Sequence, residues 1–392
     1  MLQGRFVKRT FEMQIVFYCF LLFFSFATAQ VSDRADLILF GGDILTVNEA
    51  NPTVEAVAVR NGKILSVGKK QDVMKWKGDQ TELVDLNGSM LLPGFIAFKP
   101  LSTEMEDLKA YAKNGFTTVT DLEMKGDIEP IRELAHQKNC PVRIQGYVSS
   151  DKIEEMPDLQ KGNDELFKVL GVRIGGQKSA IQPLVLQARK SNLQVVFCAC
   201  GDEEVKTALT LSENAFQQYP KGDHRYLLEN VSLEDQKLIE QIYAVKASPC
   251  FTNAHTYYWE TACKERLKCE PLANQIDRAG LAKRTGGKFS FSDDAPPSVN
   301  HPLLMLEIAS IQETLGRSLS NLDERLTVED TIKALTLYAA WQTFREKELG
   351  SIEVGKRADF VLLSQNPKKL DPHQIKNIQV LGTWINGKKV VL

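Results

Sequence analysis

Among its 392 residues the chain has five His and seven Cys, and these, with a few acidic side chains, are its candidates for metal or acid–base chemistry. The histidines are His136, His224, His255, His301 and His373. No two of them stand at metal-ligand spacing. Cys198 and Cys200 lie two apart, so on a strand both thiols face one way. Two thiolates are too few for a soft metal, and no second Cys-x-Cys or His stands nearby. Core packing is therefore the expectation for them, ahead of a reactive thiol. Asp293 and Asp294 are adjacent, so on a strand they face opposite ways and do not share a proton. His136, at a helix end, and His373, in DPHQIKN, read as surface residues. His224 reads as a solvent-side or capping residue. His301 reads as sitting near a helix start, steadying the loop that carries Asp294. Asp202, after the Gly201 turn, reads as stabilising the loop that follows the Cys198 strand.

Composition sets limits on this chemistry. There are 48 Lys+Arg against 50 Asp+Glu, for a net charge of -2 and a pI near 6.3. That balance, with no Lys/Arg run, argues against a nucleic-acid partner. Hydrophobic residues at 43% and charged residues at 25% match an ordinary globular protein. The length suits two domains, or one barrel with an appendage. It is too great for a disulfide-scaffold miniprotein.

The first residues read as an export signal. Arg5, Lys8 and Arg9 precede the apolar run Ile15–Phe26, and Ala27-Thr28-Ala29 gives a small-residue cleavage site before Gln30. The run is too short for the ~20 apolar residues of a spanning helix. Residues 1–29 are thus expected to be a signal peptide and the protein to be secreted or periplasmic, with no transmembrane segment after cleavage. Met13 is a second candidate start. In an oxidising compartment Cys263 and Cys269 are close enough to close a small loop.

Two kinds of element would position the chemistry. Residues 30–93 and 346–392 read as short strands with tight turns, and are expected to form one small domain built from both chain ends. Asn61-Gly62, Asn87-Gly88 and Asn386-Gly387 each mark a hairpin of type I′. Residues 94–345 alternate strands with helices. The expected strands are Gly94–Phe98, Thr117–Asp121, Val142–Tyr147, Val169–Ile174, Gln194–Ala199, Arg225–Val231, Val245–Ser248 and Lys288–Ser292. Eight strands with helical crossovers fit an α/β fold, either an open doubly wound sheet or a closed (β/α)8 barrel; the count of eight and the missing Gly-rich phosphate fingerprint favour the barrel, whose site lies at the C-terminal strand ends. The small domain is expected to be β-sandwich-like. Residues 249–287 would loop over the barrel mouth.

At this point the chain resembles the amidohydrolase superfamily, and within it the amidohydrolase 3 group. The segments that carry the resemblance are ADLILFGGDILTVNEANPTVEAVAVRNGKILSVG, VDLNGSMLLPGFI, NGFTTVTDL, LQVVFCACGDEEV, NAHTYYWE, SDDAPP and GSIEVGKRADFVLLSQNP. They cover nearly the whole chain after residue 29, and the last is the most specific. The resemblance implies a barrel with a small β-domain, and hydrolysis of carbon–nitrogen bonds at a divalent metal, usually zinc. It implies ligands from a His-x-His on strand one, often a carboxylated Lys on strand four, single His on strands five and six, and an Asp on strand eight. Metal-bound water attacks a carbonyl once its pKa is lowered towards ~7.

Carried over position by position, the family's ligand set is replaced here. The His-x-His positions hold Lys99 and Leu101. The strand-four position holds Arg173, which cannot form a carbamate. Strand five holds Cys198 and strand six holds Asn230. Asp294 alone matches. The expectation is that Lys99 or Arg173 places a positive charge where the metal would sit and that Asp294 pairs with it. For His255, Tyr257, Tyr258 and Trp259 two readings stand, substrate contact and a structural loop plug. The sequence thus points to an exported family member without the metal centre and without a cofactor. It would bind a small molecule in the barrel mouth or a partner, such as a second copy or an intact relative. The alternative is an active hydrolase in which Asp294 works with zinc and an unconventional ligand set.

Overall fold

The structure is a computed structural model. It describes residues 33–98, 104–124, 126–175, 178–199, 201–231, 236–252, 257, 278–292, 301–313 and 321–391. The export signal, Lys99, Leu101, Cys200, His255, Tyr258, Trp259, Cys263, Cys269, Asp293 and Asp294 lie outside the described residues.

One sheet draws on both ends of the chain. Its strands are β1 (Leu37–Leu45), β2 (Thr53–Arg60), β3 (Lys63–Gly68), β4 (Glu82–Asp85) and β5 (Met90–Pro93), joined by β14 (Phe360–Leu363), β15 (Val380–Ile385) and β16 (Lys388–Lys389). Alternation along β1 and β2 puts apolar side chains on both faces. Leu37, Leu39, Val57 and Val59 serve one cluster, and Ile38, Ala56 and Ala58 the other. The Asn-Gly turns have φ of 51° and 74° at Asn61-Gly62 and 50° and 72° at Asn386-Gly387, as a type I′ hairpin requires. Asn87-Gly88 has the same signs, 49° and 78°, but makes no hairpin. Its flanking strands β4 and β5 do not pair with each other; both lie parallel to β1, at successive positions along it.

The second sheet is the barrel. It runs β6 (Phe95–Phe98), β7 (Phe116–Met124), β8 (Arg143–Ser149), β9 (Phe167–Ile174), β10 (Gln194–Cys198), β11 (Leu227–Glu229), β12 (Ser248–Phe251) and β13 (Ser290–Phe291), every neighbouring pair parallel. A parallel bridge from Phe98 to Ser292 joins the two ends. Around it pack α1 (Met105–Lys113), α2 (Glu129–Ala135), α3 (Lys178–Lys190), α4 (Asp202–Gln218), α5 (Gln236–Ala244), α6 (Ala279–Arg284), α7 (Pro302–Ile311), α8 (Val328–Leu335) and α9 (Leu337–Gln342). The seventh strand begins three residues later than its pattern suggested. Helix α5 runs to Ala244 and Lys246 turns the chain at φ 58°, so Val245–Ala247 is a helix exit rather than a strand.

Strand alternation separates two cores. Outward side chains such as Val119, Ile144, Val195 and Leu228 pack with the helices. Ile96, Phe98, Tyr147, Val196, Leu227 and Cys250, from five strands, gather with Ala339, Ala340 and Leu349 in a separate cluster that fills the barrel. A chain of hydrogen bonds runs beside it, leaving Gln342 Oε1 without a partner among the described residues. Tyr147 Oη donates to Gln194 Oε1 at 2.7 Å, and Gln194 Nε2 donates to the Arg225 and Gln342 carbonyls at 2.8 and 2.6 Å. Gln342 Nε2 donates to Ser248 Oγ and to the Pro249 carbonyl at 2.6 and 2.9 Å.

The barrel and the other sheet are tied by a buried ion pair. Arg143, on β8, donates from Nε and Nη2 to the Asp359 carboxylate at 2.7 and 3.1 Å. It also donates to Asn386 Oδ1 and, at 2.8 Å, to the Glu165 carbonyl. No helix among the described residues is long and apolar enough to cross a membrane.

Candidate functional site at the barrel mouth

The C-terminal ends of β9, β10 and β11 bring three side chains together. A register shift in β9, between its pairings at Val169 and Gly171, reverses the alternation in its last residues. Arg173 there meets the carboxylate of Glu229, two strands away. Its Nε lies 2.8 Å from Glu229 Oε1, and Nη2 donates to the same oxygen. On its other side Nη1 lies 3.2 Å from Glu123 Oε2, at the end of β7. Cys198, between them on β10, is the cross-strand neighbour of Glu229 and lies within electrostatic reach of Arg173.

Glu229 is fully buried, and its Oε2 meets no hydrogen-bond donor among the described residues. Burial disfavours the Arg173 charge, but the Glu229 and Glu123 carboxylates more than offset this and raise the guanidinium's pKa. The arrangement is thus one fixed cation held between two anions. A carboxylate partner for Arg173 was expected, but Asp294 lies outside the described residues and the partners seen are Glu229 and Glu123. A signal for both existed in the sequence. Each is an acid ending an apolar barrel strand, in LLEN and DLEM, at the end where such folds place their sites.

The remaining candidates are distributed around this network. Asn230 follows Glu229 in the left-handed conformation, φ 58°, and its Oδ1 accepts from Thr252 Oγ1 at 3.3 Å. Thr252 Oγ1 also lies 2.7 Å from Ser292 Oγ, which links the ends of strands six to eight. Tyr257 is half-buried. Asp202 opens α4, where an acid complements the helix dipole.

The four described histidines lie elsewhere. His301 caps α7, its Nδ1 accepting from the Leu304 amide at 3.1 Å, and burial lowers its pKa, which suits a neutral ring. His136 and His373 are exposed and paired with carboxylates, as their surface reading requires. His224 is buried rather than solvent-side. Its ring stacks on Tyr226 at 5.9 Å and its Nε2 meets the Lys221 carbonyl at 3.0 Å, so the polar atom is satisfied inside.

A divalent metal can be tested against this donor set. At strands four to six the described residues offer a guanidinium, a thiol, an amide and a carboxylate whose Oε1 already accepts two guanidinium N–H groups. A guanidinium is no ligand, and its charge repels a cation at this spacing. These residues do not fit a centre of imidazoles and a carbamate.

Comparisons place the fold and the family. Residues 106–391 match the amidohydrolase family. An N-substituted formamide deformylase of Arthrobacter pascens is 24% identical over 217 residues, covering 54% of this chain and 39% of the relative. A 5-methylthioadenosine/S-adenosylhomocysteine deaminase of Thermodesulfovibrio yellowstonii is 33% identical over 130 residues, covering 31% and 29%. The chain spans less than half the length of these curated relatives. Among solved structures, an uncharacterized metal-dependent hydrolase from Pyrococcus horikoshii superposes with TM-score 0.69 at 14% identity, covering 86% of this chain and 99% of that one. A zinc-bound adenosine deaminase from Xanthomonas campestris gives 0.67 at 16% identity, covering 91% and 93%. By the match over most of its length, reinforced by the shared barrel, the chain belongs to the amidohydrolase family.

Proposed function

We propose that this is an exported member of the amidohydrolase family that has exchanged the metal centre for a fixed charge network and binds a small molecule at the barrel mouth without hydrolysing it. The observation that carries the reading is Arg173 clamped between Glu229 and Glu123. A permanent cation at the strand-four position replaces the charge a metal would bring, but supplies neither an open coordination site nor an activated water. The Oε2 of Glu229, without a donor among the described residues, supports a ligand that presents an N–H or O–H donor, because a buried carboxylate oxygen without one is costly. Export rests on the n-region, apolar run and cleavage site of residues 1–29.

Turnover assays test this reading. The purified chain would be incubated with an N-substituted formamide and with 5-methylthioadenosine, chosen from the relatives' activities, in the presence of zinc or manganese. No product above the uncatalysed rate is expected. Turnover that disappears in Asp294→Asn would establish the alternative, an active hydrolase.

A further inference from the structure

One buried arginine differs from the others in having no anion among the described residues. Arg143 pairs with Asp359, Arg173 with Glu229 and Glu123, and Arg225 with Asp223 and Glu346. Arg189, in the last turn of α3, is 3% exposed and makes no carboxylate contact. Its Nε donates to the Tyr219 carbonyl at 2.7 Å, where it caps the end of α4. Both terminal nitrogens, Nη1 and Nη2, are buried with no hydrogen-bond partner among the described residues. Within electrostatic reach of Arg189, the hydroxyl of Tyr226 is likewise buried and has no hydrogen-bond partner among the described residues. Tyr226 stands just before β11, so this cluster lies between barrel and helices, at the opposite end of the strand from Glu229.

The chemistry of the cluster is one-sided. Four guanidinium N–H bonds and a phenol O–H have no acceptor among the described residues. Burial pushes the Arg189 pKa down, with Tyr226 the counterweight, and burial pushes the Tyr226 pKa up, so the phenol keeps its proton and remains a donor. A buried unpaired cation is costly, and a planar guanidinium fork matches two oxygens of one anion. Phe216, whose ring lies 5.7 Å from the guanidinium, and Tyr219 both reach solvent and form the rim.

We propose that Arg189 and Tyr226 form a binding site for a small oxyanion that presents two adjacent oxygens, a phosphate or a carboxylate. The oxygens accept from Nη1 and Nη2, and the Tyr226 hydroxyl supplies a third hydrogen bond. The site is separate from the barrel mouth and independent of the proposed function.

The test is titration of the whole protein with inorganic phosphate, and separately with acetate, in chloride buffer at constant ionic strength, followed by calorimetry. Saturable one-to-one binding is expected, weakened at least about tenfold in Arg189→Met, since charge-assisted hydrogen bonds are lost. Binding of phosphate alone identifies a tetrahedral anion, and binding of acetate as well identifies a carboxylate site. Saturation by neither anion, which would leave water as the occupant, overturns the proposal. So does binding that persists unchanged in Arg189→Met. Should that variant fail to fold, Tyr226→Phe decides: weakening of about threefold or more supports the site, and unchanged affinity overturns it.

Discussion

Arg173 and Glu229 meet across an intervening strand, Nε to Oε1 at 2.8 Å, and so connect the ends of β9 and β11 over Cys198. The contact ties Arg173, at the strand-four ligand position, to an acid that directly precedes Asn230 at the strand-six position. Its energetics follow from burial. Glu229 is sealed from solvent, while Arg173 retains some exposure and a second anion in Glu123.

The first prediction concerns this pair. Glu229→Gln removes the buried partner of a mostly buried cation, and should cost about 3 kcal/mol in urea unfolding. Arg173→Met, which strands the buried carboxylate, should cost as much or more. The double variant should cost clearly less than the sum, because neither charge is then left alone. Additive costs would show that the two groups do not interact.

The Arg143–Asp359 pair gives the second. Its members are 216 residues apart in sequence and join the barrel to the sheet built from both chain ends. Asp359→Asn should destabilise by about 3–5 kcal/mol. Unfolding followed by Trp384 fluorescence should then separate from unfolding followed by far-ultraviolet dichroism, because Trp384 sits in the apolar cluster of that sheet. Coincident transitions with little loss of stability would contradict this role.

A third prediction uses pH. The Asp164 carboxylate beside His136 at 2.6 Å raises the imidazole's pKa, with the Arg132 carbonyl assisting. A folded pKa above the unfolded value stabilises fully below the unfolded pKa of ~6.5, and the gain fades as pH rises through the folded pKa. Desolvation acts upward on Asp164, but hydrogen bonds from His136 and from the backbone outweigh it and lower its pKa. That gain is present above ~3.9 and is lost as pH falls through the lowered value. The pair therefore contributes most between about pH 4 and 6.5. His136→Asn should lower the urea midpoint more at pH 5.5 than at pH 8.5. An equal effect at both would remove the electrostatic explanation. Both groups are partly exposed, so high salt should shrink the difference.

The fourth prediction is local. Thr327 and Asp330 form a reciprocal capping box at the start of α8: Thr327 Oγ1 accepts from the Asp330 amide at 3.1 Å, and Asp330 accepts from the Thr327 amide at 3.2 Å. Thr327→Ala should cost about 1 kcal/mol. No change in the denaturant midpoint would mean that water replaces the cap.

Local chemistry made much of this fold legible. Asn61-Gly62, Asn87-Gly88 and Asn386-Gly387 all turn the chain at positive φ, and the barrel strands other than the seventh announce themselves as short apolar runs between turns and helices. What failed was pairing. Asn87-Gly88 turns the chain, but β1 outcompetes a hairpin for β4 and β5, and nothing near residue 87 records that choice. The site shows the same division. Arg173 could be assigned by resemblance to the strand-four position, whereas its partners Glu229 and Glu123 arrive from other strands. The shifted alternation of β9 that turns Arg173 toward them depends on pairing with β8, which no local motif states.

Metal content tests the central claim most directly. The purified chain would be loaded with excess zinc, desalted and measured by elemental analysis beside its Asp294→Asn variant. The charge network of Arg173, Glu229 and Glu123 predicts far less than one zinc per chain in both. One zinc per chain in the parent, lost in Asp294→Asn, would contradict it.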